Sequence, residues 1–509
     1  MAILGNIIKS ALELTDKVVP ESSPLEEQQE VLKQLLKKAR NTAFGKYYNF
    51  SSLLEEKDIP RAFAATVPFH DYNQIFEEWW ERQLEGGEDI SWPGKPNYYA
   101  LSSGTTGDKA KRIPVTDDML DAIRKTGVAQ VLALSNFDLP ADFFEKEVMM
   151  LGSSTDLGHN GDHLEGEISG ISASNIPSWF RGYYRPGPEI SALEDWDERV
   201  ELIAKNAKDW DIGALSGIPS WNELMLKKII EYHNLNHIHE IWPNLSVFTS
   251  GGVAFEPYRK SFEALLGHPI TIIDTYLTSE GFIAFQARPN EHMAMKLSTR
   301  NGIYFEFVPF KDEHIDENGA IIQGTKALTL EEVEEGVDYA LIISTVSGAW
   351  RYMIGDTIQF TDKEKAEIII SGRTKHFLNV VGSQLSVMKM NDAIQHLEEE
   401  FGIRIPEFTV AAVRPEKDYI HHWYLGIDGE GNTDEEKLAK TLDERLRSVN
   451  KNYNVARDKA LKDVKVSVVP SDVFYQWNEK QKKKGGQVKM PRVMKEEEFQ
   501  EWIKFTETL

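Results

Sequence analysis

Apolar residues recur at helical spacing through Val31, Leu32, Leu35 and Leu36, just behind Ser23-Pro24-Leu25-Glu26. Serine, a proline at the first helical position and a glutamate three residues on make a capping box, so a helix to about Arg40 is expected. A second helical stretch, 68–87, carries Tyr72, Ile75, Phe76, Trp79 and Trp80 at core spacing. Farther on the pattern alternates. Short apolar runs at 148–151, 245–248 and 271–275 read as strands. The run beginning at Ala214 passes through Gly217 into a helix bearing Leu224, Leu226, Ile229 and Ile230. Strand, turn and helix in that order imply an α/β sheet, and 339–345 adds an apolar β run.

Beyond Lys375 the pattern becomes that of a small α+β unit. Strands are expected at 408–413, 423–427 and 464–469, with a helix through Leu438, Leu442 and Leu446 opened by a capping box from Thr433 to Glu436. The fold class expected is therefore α/β, with a large multi-sheet domain over 1–374 and a small α+β domain over 375–509.

Composition narrows the function. At 509 residues the chain holds a sizeable core, and its formal charge of -24 repels nucleic acid and anionic lipid. It has no cysteine, which removes disulfides, thiolate zinc sites and cysteine nucleophiles together. Residues 1–19 interleave apolar positions with Lys9, Glu13, Asp16 and Lys17, unlike a signal peptide or membrane span. A cytoplasmic protein is expected, without a nucleic-acid or membrane partner.

Against this acidic background the stretch 98–114 stands out. Ser102, Ser103, Thr105 and Thr106 supply hydroxyls, Gly104 and Gly107 let backbone N–H groups turn toward a polyanion, and Lys109, Lys111 and Arg112 supply charge. An ordinary hydrophilic loop is the alternative. The P-loop of kinases is excluded, because Gly107 is followed by Asp108.

Two further strands end in chemistry-bearing residues. Thr249-Ser250-Gly251-Gly252 and Tyr276-Leu277-Thr278-Ser279-Glu280 lie where open α/β sheets bind ligands. Elsewhere, Asp156, His159, Asp162 and His163 offer metal-ligand types, though in a glycine-containing loop turn chemistry is the preferred reading. The run 179–185, Trp-Phe-Arg-Gly-Tyr-Tyr-Arg, offers either an acyl pocket with an arginine for a second carboxylate or a surface loop, the latter preferred.

Taken together these motifs resemble the auxin-responsive promoter family of acyl acid amido synthetases, which also has bacterial members, within the adenylate-forming superfamily. Ser-Ser-Gly-Thr-Thr-Gly resembles that family's phosphate loop. Residues 276–280 are similar to its Tyr-Ala-Ser-Ser-Glu motif, which implies that Tyr276 stacks on adenine, that the Thr278 and Ser279 hydroxyls face the α-phosphate and that Glu280 holds Mg²⁺. Gly355-Asp356 resembles the ribose-binding pair, an ionised carboxylate with two acceptor oxygens. Met353 and Ile354 depart from the plant pattern of arginine and valine, which leaves Arg351 as the candidate substitute. Arg373 matches a second ribose contact, just before a hinge at Lys375. Gln487 to Arg492 resembles the terminal motif whose lysine, here Lys489, enters the active site from the mobile domain.

The resemblance implies a two-step ligase using ATP and Mg²⁺: a carboxylic acid is adenylated, then an amine, such as an amino acid, takes the acyl group. A thioester-forming ligase using coenzyme A and a nucleotide-binding homologue without turnover are the rivals. Glu280, Asp356, Arg373 and Lys489 speak against the second.

Overall fold

The first helix runs Pro24–Ala39, with Ser23 Oγ accepting from Glu26 N and the Glu26 carboxylate accepting from Ser23 N. Such a cap contributes about 1 kcal/mol. What fixes the helix in place is Gln28, fully buried: its amide donates to the Thr299 and Ile303 carbonyls at 2.9 and 2.8 Å and accepts from Phe305 N at 2.7 Å. The computed structural model describes residues 22–102, 110–178, 180–253, 255–311, 313–316, 319–374, 385, 387–415, 419–428, 434–459, 461–481, 490–494 and 496–508.

The strands in chain order are β1 Tyr98–Ser102, β2 Lys111–Val115, β3 Glu147–Leu151, β4 Gly158–Asn160, β5 His163–Gly166 and β6 Tyr184–Arg185. Then come β7 Ile212–Gly217, β8 Val247–Gly251, β9 Thr271–Thr278, β10 Gly281–Phe285, β11 Met295–Leu297 and β12 Ile303–Pro309. The remaining ones are β13 Asp338–Thr345, β14 Tyr352–Asp362, β15 Glu367–Arg373, β16 Arg404–Val413, β17 Tyr419–Asp428 and β18 Leu461–Pro470.

They form three sheets, ordered β2-β1-β5-β4, β12-β13-β14-β15-β11-β10-β9-β8-β7-β3-β6 and β16-β17-β18. In the largest, every pairing from β12 to β9 is antiparallel and every pairing from β9 to β6 is parallel. β9 is thus the seam between two halves. Four strand steps separate β14 from β9, about 19 Å if the sheet were flat. Yet Tyr276 on β9 hydrogen-bonds Asp356 on β14, so the antiparallel half curls back on itself. Inside the curl lies a core that joins the amino-terminal helices to β9–β15 through Phe44, Phe50, Trp80, Trp92 and Trp350. A separate core under β3, β7 and β8 packs Phe248 flat on Phe262 at 4.9 Å.

The second aromatic stretch forms a helix from Tyr72, a π-helical turn Phe76–Trp80 and a helical end Glu81–Leu84, starting where Asp71 provides a capping box. Its tryptophans are buried as expected. In the small unit the helix Glu435–Val449 is capped by Asp434, which accepts from Lys437 N, in place of Thr433, which lies outside the described residues. The sheet β16-β17-β18 is covered on both faces, by a core around Trp423 and Leu442 and by one around Phe474 and Trp502. Neither core shares a described residue with those of the large unit.

This small sheet carries a pH dependence. Burial pushes His421 down to about 3, aided by Arg457, and His422 down to about 4, aided by Lys465. Both are neutral in the folded chain, whereas the unfolded chain protonates them near 6.5. Their contribution to stability is complete above that value and falls as pH drops below it, by about 1.4 kcal/mol per pH unit for each histidine. Urea unfolding followed through the β16–β18 unit should therefore show stability declining between pH 6.5 and 4.5, less steeply in His421→Leu. A pH-independent midpoint would count against it.

Candidate active site

β1 and β2 form a hairpin with Ser102 opposite Lys111 at its open end. This hairpin brings the two ends of the hydroxyl-rich loop together. Ser103, Gly104, Thr105, Thr106, Gly107 and Lys109 lie outside the described residues. The two remaining cations part company. Arg112 is bound to Glu165 at 2.8 Å, and its backbone N–H donates to the Tyr72 hydroxyl. Glu165 also accepts from Asn160 and His163; despite the cost of burial these bonds hold its carboxyl down at about 2. Arg112 is thus a strut of the hairpin, which corrects its expected part in the phosphate loop's charge. Lys111 lies with its ammonium 5.3 Å from the Tyr72 ring and in electrostatic contact with Glu280.

Glu280 belongs to the tight turn between β9 and β10, where Thr278 pairs with Gly281 and only Ser279 and Glu280 intervene. The Thr278 hydroxyl accepts from Glu280 N and donates to Gly281 O. The turn drives the Glu280 carboxyl inward, to 7 % exposure. Burial pushes this carboxyl above its ordinary value; Lys111 draws it back and the Asp356 charge raises it again. Tyr352 lies beside it, and burial together with the Glu280 charge pushes its phenol well above its ordinary value.

Asp356 closes the cluster. It sits opposite Arg373 in the β14–β15 register. Arg373 Nε reaches its Oδ1 at 3.0 Å and the Tyr276 hydroxyl donates to its Oδ2. Tyr276 is 6 % exposed, so its hydroxyl orients Asp356, and burial next to that carboxylate pushes the phenol well above its ordinary value. Four residues expected at the site, Tyr276, Glu280, Asp356 and Arg373, therefore meet although 97 positions separate the first from the last. Beside them β8 ends at Gly251, and Gly252 follows it. A Cβ on Gly251 would come within 2.7 Å of Thr275 Oγ1, and Gly252 adopts φ +80°. Both positions favour glycine, so backbone forms this wall of the cluster. Ser279 is half-buried in the turn, and Lys489 lies outside the described residues.

Other expectations fall elsewhere. Arg351, the candidate substitute for the plant arginine, is 3 % exposed and turned away from the cluster into an ion pair with Glu306 at 3.0 Å. Arg185 binds Glu147, so it is no free anchor for a substrate carboxylate, and Trp179 lies outside the described residues. Asp162 pairs with Lys95 and His163 with Glu165. Among the described residues no group of three or more His, Asp or Glu side chains is arranged to hold a metal ion. Likewise, no helix among them is long and apolar enough to cross a membrane.

Two residues near the motifs gained weight only from the structure. Lys111 was one cation among several until the hairpin register aimed it at Glu280. Asp274 lies two positions before Tyr276, on the same face of β9. Burial pushes its carboxyl up to about 7, against the pull of Arg259. The sequence signal for it was slight: a carboxylate inside an apolar strand.

Comparison with known proteins gives the family and the fold. Family models described as the GH3 family N-terminal, central and C-terminal domains match residues 21–185, 297–367 and 388–498, together more than half of the chain. An indole-3-acetic acid-amido synthetase, GH3.4 of Arabidopsis thaliana, is 26% identical over 254 residues. That match covers 47% of this chain and 41% of the relative, so the chain spans about two fifths of that protein's length. Among solved structures, the AtGH3.15 acyl acid amido synthetase in complex with 2,4-DB superposes with TM-score 0.75 at 17% identity, covering 96% of this chain and 97% of the other. A 2-hydroxyisobutyryl-CoA ligase in the postadenylation state gives 0.56 at 12% identity, over 95% and 92%. These likenesses establish the fold. With three family domains matched in order along it, the chain belongs to the GH3 family.

Proposed function

We propose that this chain is an AMP-forming ligase that adenylates a carboxylic acid and passes the acyl group to an amine, such as an amino acid. The observation that carries the reading is the convergence of Tyr276, Glu280, Asp356 and Arg373 beneath the hairpin of the hydroxyl-rich loop. The names of its relatives agree: one is named indole-3-acetic acid-amido synthetase, and another jasmonoyl--L-amino acid synthetase.

In the first step an oxygen of the substrate carboxylate attacks the α-phosphorus of ATP, and the bond to the β-phosphate oxygen breaks, releasing pyrophosphate. In the second the amine attacks the acyl carbon, AMP leaves and the amine's proton passes to solvent or a base. No covalent protein nucleophile is required, which suits a chain without cysteine; positioning and charge stabilisation carry the chemistry. Asp356 accepts ribose hydroxyls on the lone pairs that Arg373 and Tyr276 leave over. Tyr276 presents its ring to adenine beside Gly251 and Gly252. Lys111 neutralises phosphate charge together with the loop's N–H groups and hydroxyls, Lys109 among its cations, and the Thr278 and Ser279 hydroxyls face the α-phosphate.

Mg²⁺ fits at Glu280, a buried hard-oxygen ligand whose charged form needs cations nearby, and when bound it would supply further charge neutralisation to the phosphates. The small unit, taken to begin at 375, carries Lys489 on a mobile domain. We place the protein in the cytoplasm.

A screen of pyrophosphate release against a panel of carboxylic acids, repeated with amino acids and with coenzyme A, tests the reading. An amino acid should discharge the adenylate to amide. Discharge by coenzyme A alone would make the chain a thioester ligase, and no release with any acid would make it a nucleotide-binding homologue.

A further inference from the structure

The segment 490–494, which follows Lys489 directly, is built onto the small sheet as a ribbon. Val410 N donates to Arg492 O at 3.0 Å, Met494 N donates to Val410 O at 2.9 Å, and Thr409 Oγ1 donates to Pro491 O at 2.8 Å. Met490 and Met494 are buried in the core around Trp502. Arg492 is the fastening. Its Nη1 donates to Glu407 Oε2 at 2.7 Å and to Phe408 O at 3.1 Å, while its guanidinium lies 4.5 Å from the Phe408 ring. Both side chains are mostly buried. A lysine in its place would keep the charge and lose the planar fork that serves carboxylate, carbonyl and ring at once.

Glu407 and Arg492 both act electrostatically on Tyr258, a half-buried residue in the turn that follows the Gly251-Gly252 wall. Tyr475 of the small unit feels Glu407 and Tyr258 in turn. One ion pair thus anchors the ribbon on β16.

We propose that Glu407 and Arg492 are positioning residues for adenylation: by clamping 490–494 onto β16, they fix the point from which the chain leads back to Lys489. This rests on the ligase reading above. The pair acts through the ribbon and touches neither substrate nor reacting atoms. Misplacing a charge-stabilising group by about an ångström costs on the order of a hundredfold in rate, so a loosened clamp should show in the step that uses the lysine and in no other.

The test uses the full chain, with an acid that the wild type activates, and the variants Arg492→Lys and Glu407→Gln. Acid-dependent pyrophosphate release should fall in kcat by about ten- to a hundredfold, with KM for ATP changed by less than about twofold. Amide formation from presynthesised acyl-adenylate should run at the wild-type rate. Unchanged kcat, or an equal fall in both half-reactions, overturns the inference. Should Arg492→Lys fail to fold, Glu407→Gln, which keeps the ribbon's backbone bonds, carries the same measurement. A wild type that releases no pyrophosphate with any acid overturns the ligase reading and this inference with it. A wild type that turns over beside unimpaired variants overturns this inference alone.

Discussion

Replacing Arg351 by methionine is expected to destabilise the large unit by about 3 to 5 kcal/mol, the cost of leaving a buried charge without its partner. Arg351 and Glu306 are 3 % and 4 % exposed. The guanidinium binds the Glu306 carboxylate through Nε, donates through Nη1 to the Ala64 and Val67 carbonyls at 2.8 and 2.7 Å, and lies 4.0 Å over the Phe69 ring. Methionine fills part of that space and satisfies none of those acceptors. The carboxylate must then take up a proton or draw in water, and two buried carbonyls lose a donor. The backbone compounds the demand, since Arg351 holds φ +43°, a left-handed conformation that places its side chain inward while its N–H donates to Ser344 Oγ. Equilibrium unfolding of Arg351→Met, Glu306→Gln and the double variant forms the cycle that isolates the pair. The double variant should recover part of the loss, because no unpaired charge remains. A loss under about 1 kcal/mol in Arg351→Met would mean that the pair is solvated. Below its melting range the single variant should bind ATP as the wild type does, which separates Arg351 from the nucleotide site.

The second large effect is kinetic. Lys489 follows the expected hinge at Lys375 and precedes the clamped ribbon. If the small domain closes to bring its ammonium to the α-phosphate, the cation stabilises charge that grows only in the adenylation transition state. Lys489→Ala should slow adenylate formation by on the order of a hundred- to a thousandfold, the usual loss on removing one preorganised donor. Rotation about the hinge would then withdraw the lysine and admit the amine, so the second step should not need it. Given presynthesised acyl-adenylate and amine, the variant should make amide at close to the normal rate. Equal slowing of both half-reactions would contradict this division, and no slowing in either would make Lys489 a surface lysine.

How far the chain could be read depended on the range of the interaction. The helix Pro24–Ala39 was legible because cap, proline and apolar stripe all act within four residues of one another. The strands were legible as apolar runs, although several proved longer than expected: 423–427 became Tyr419–Asp428, its ends fixed by pairing with β16 and β18. The site motifs were legible as well, since each is a short string, and those of 249–252 and 276–280 fall at strand ends. What the strings did not contain was their partner. Arg112 and Lys111 are neighbours in a strand, and alternation sends their side chains to opposite faces, so one finds Glu165 and the other faces Glu280. Composition ranks them equally.

Arg351 shows the same limit. Two positions from the plant arginine it looked like a substitute, yet a positive φ and a buried Glu306 forty-five residues upstream turned it into the core. The sequence by itself determined the local elements, the order of the motifs and the chemistry each can perform, because periodicity, caps and side-chain types are local properties. The tertiary structure alone decided that β9 is the seam of the large sheet and that its antiparallel half curls far enough to set Tyr276 against Asp356. Strand order and curl are settled by burying all the apolar faces at once, and no stretch of the chain short enough to scan carries that condition.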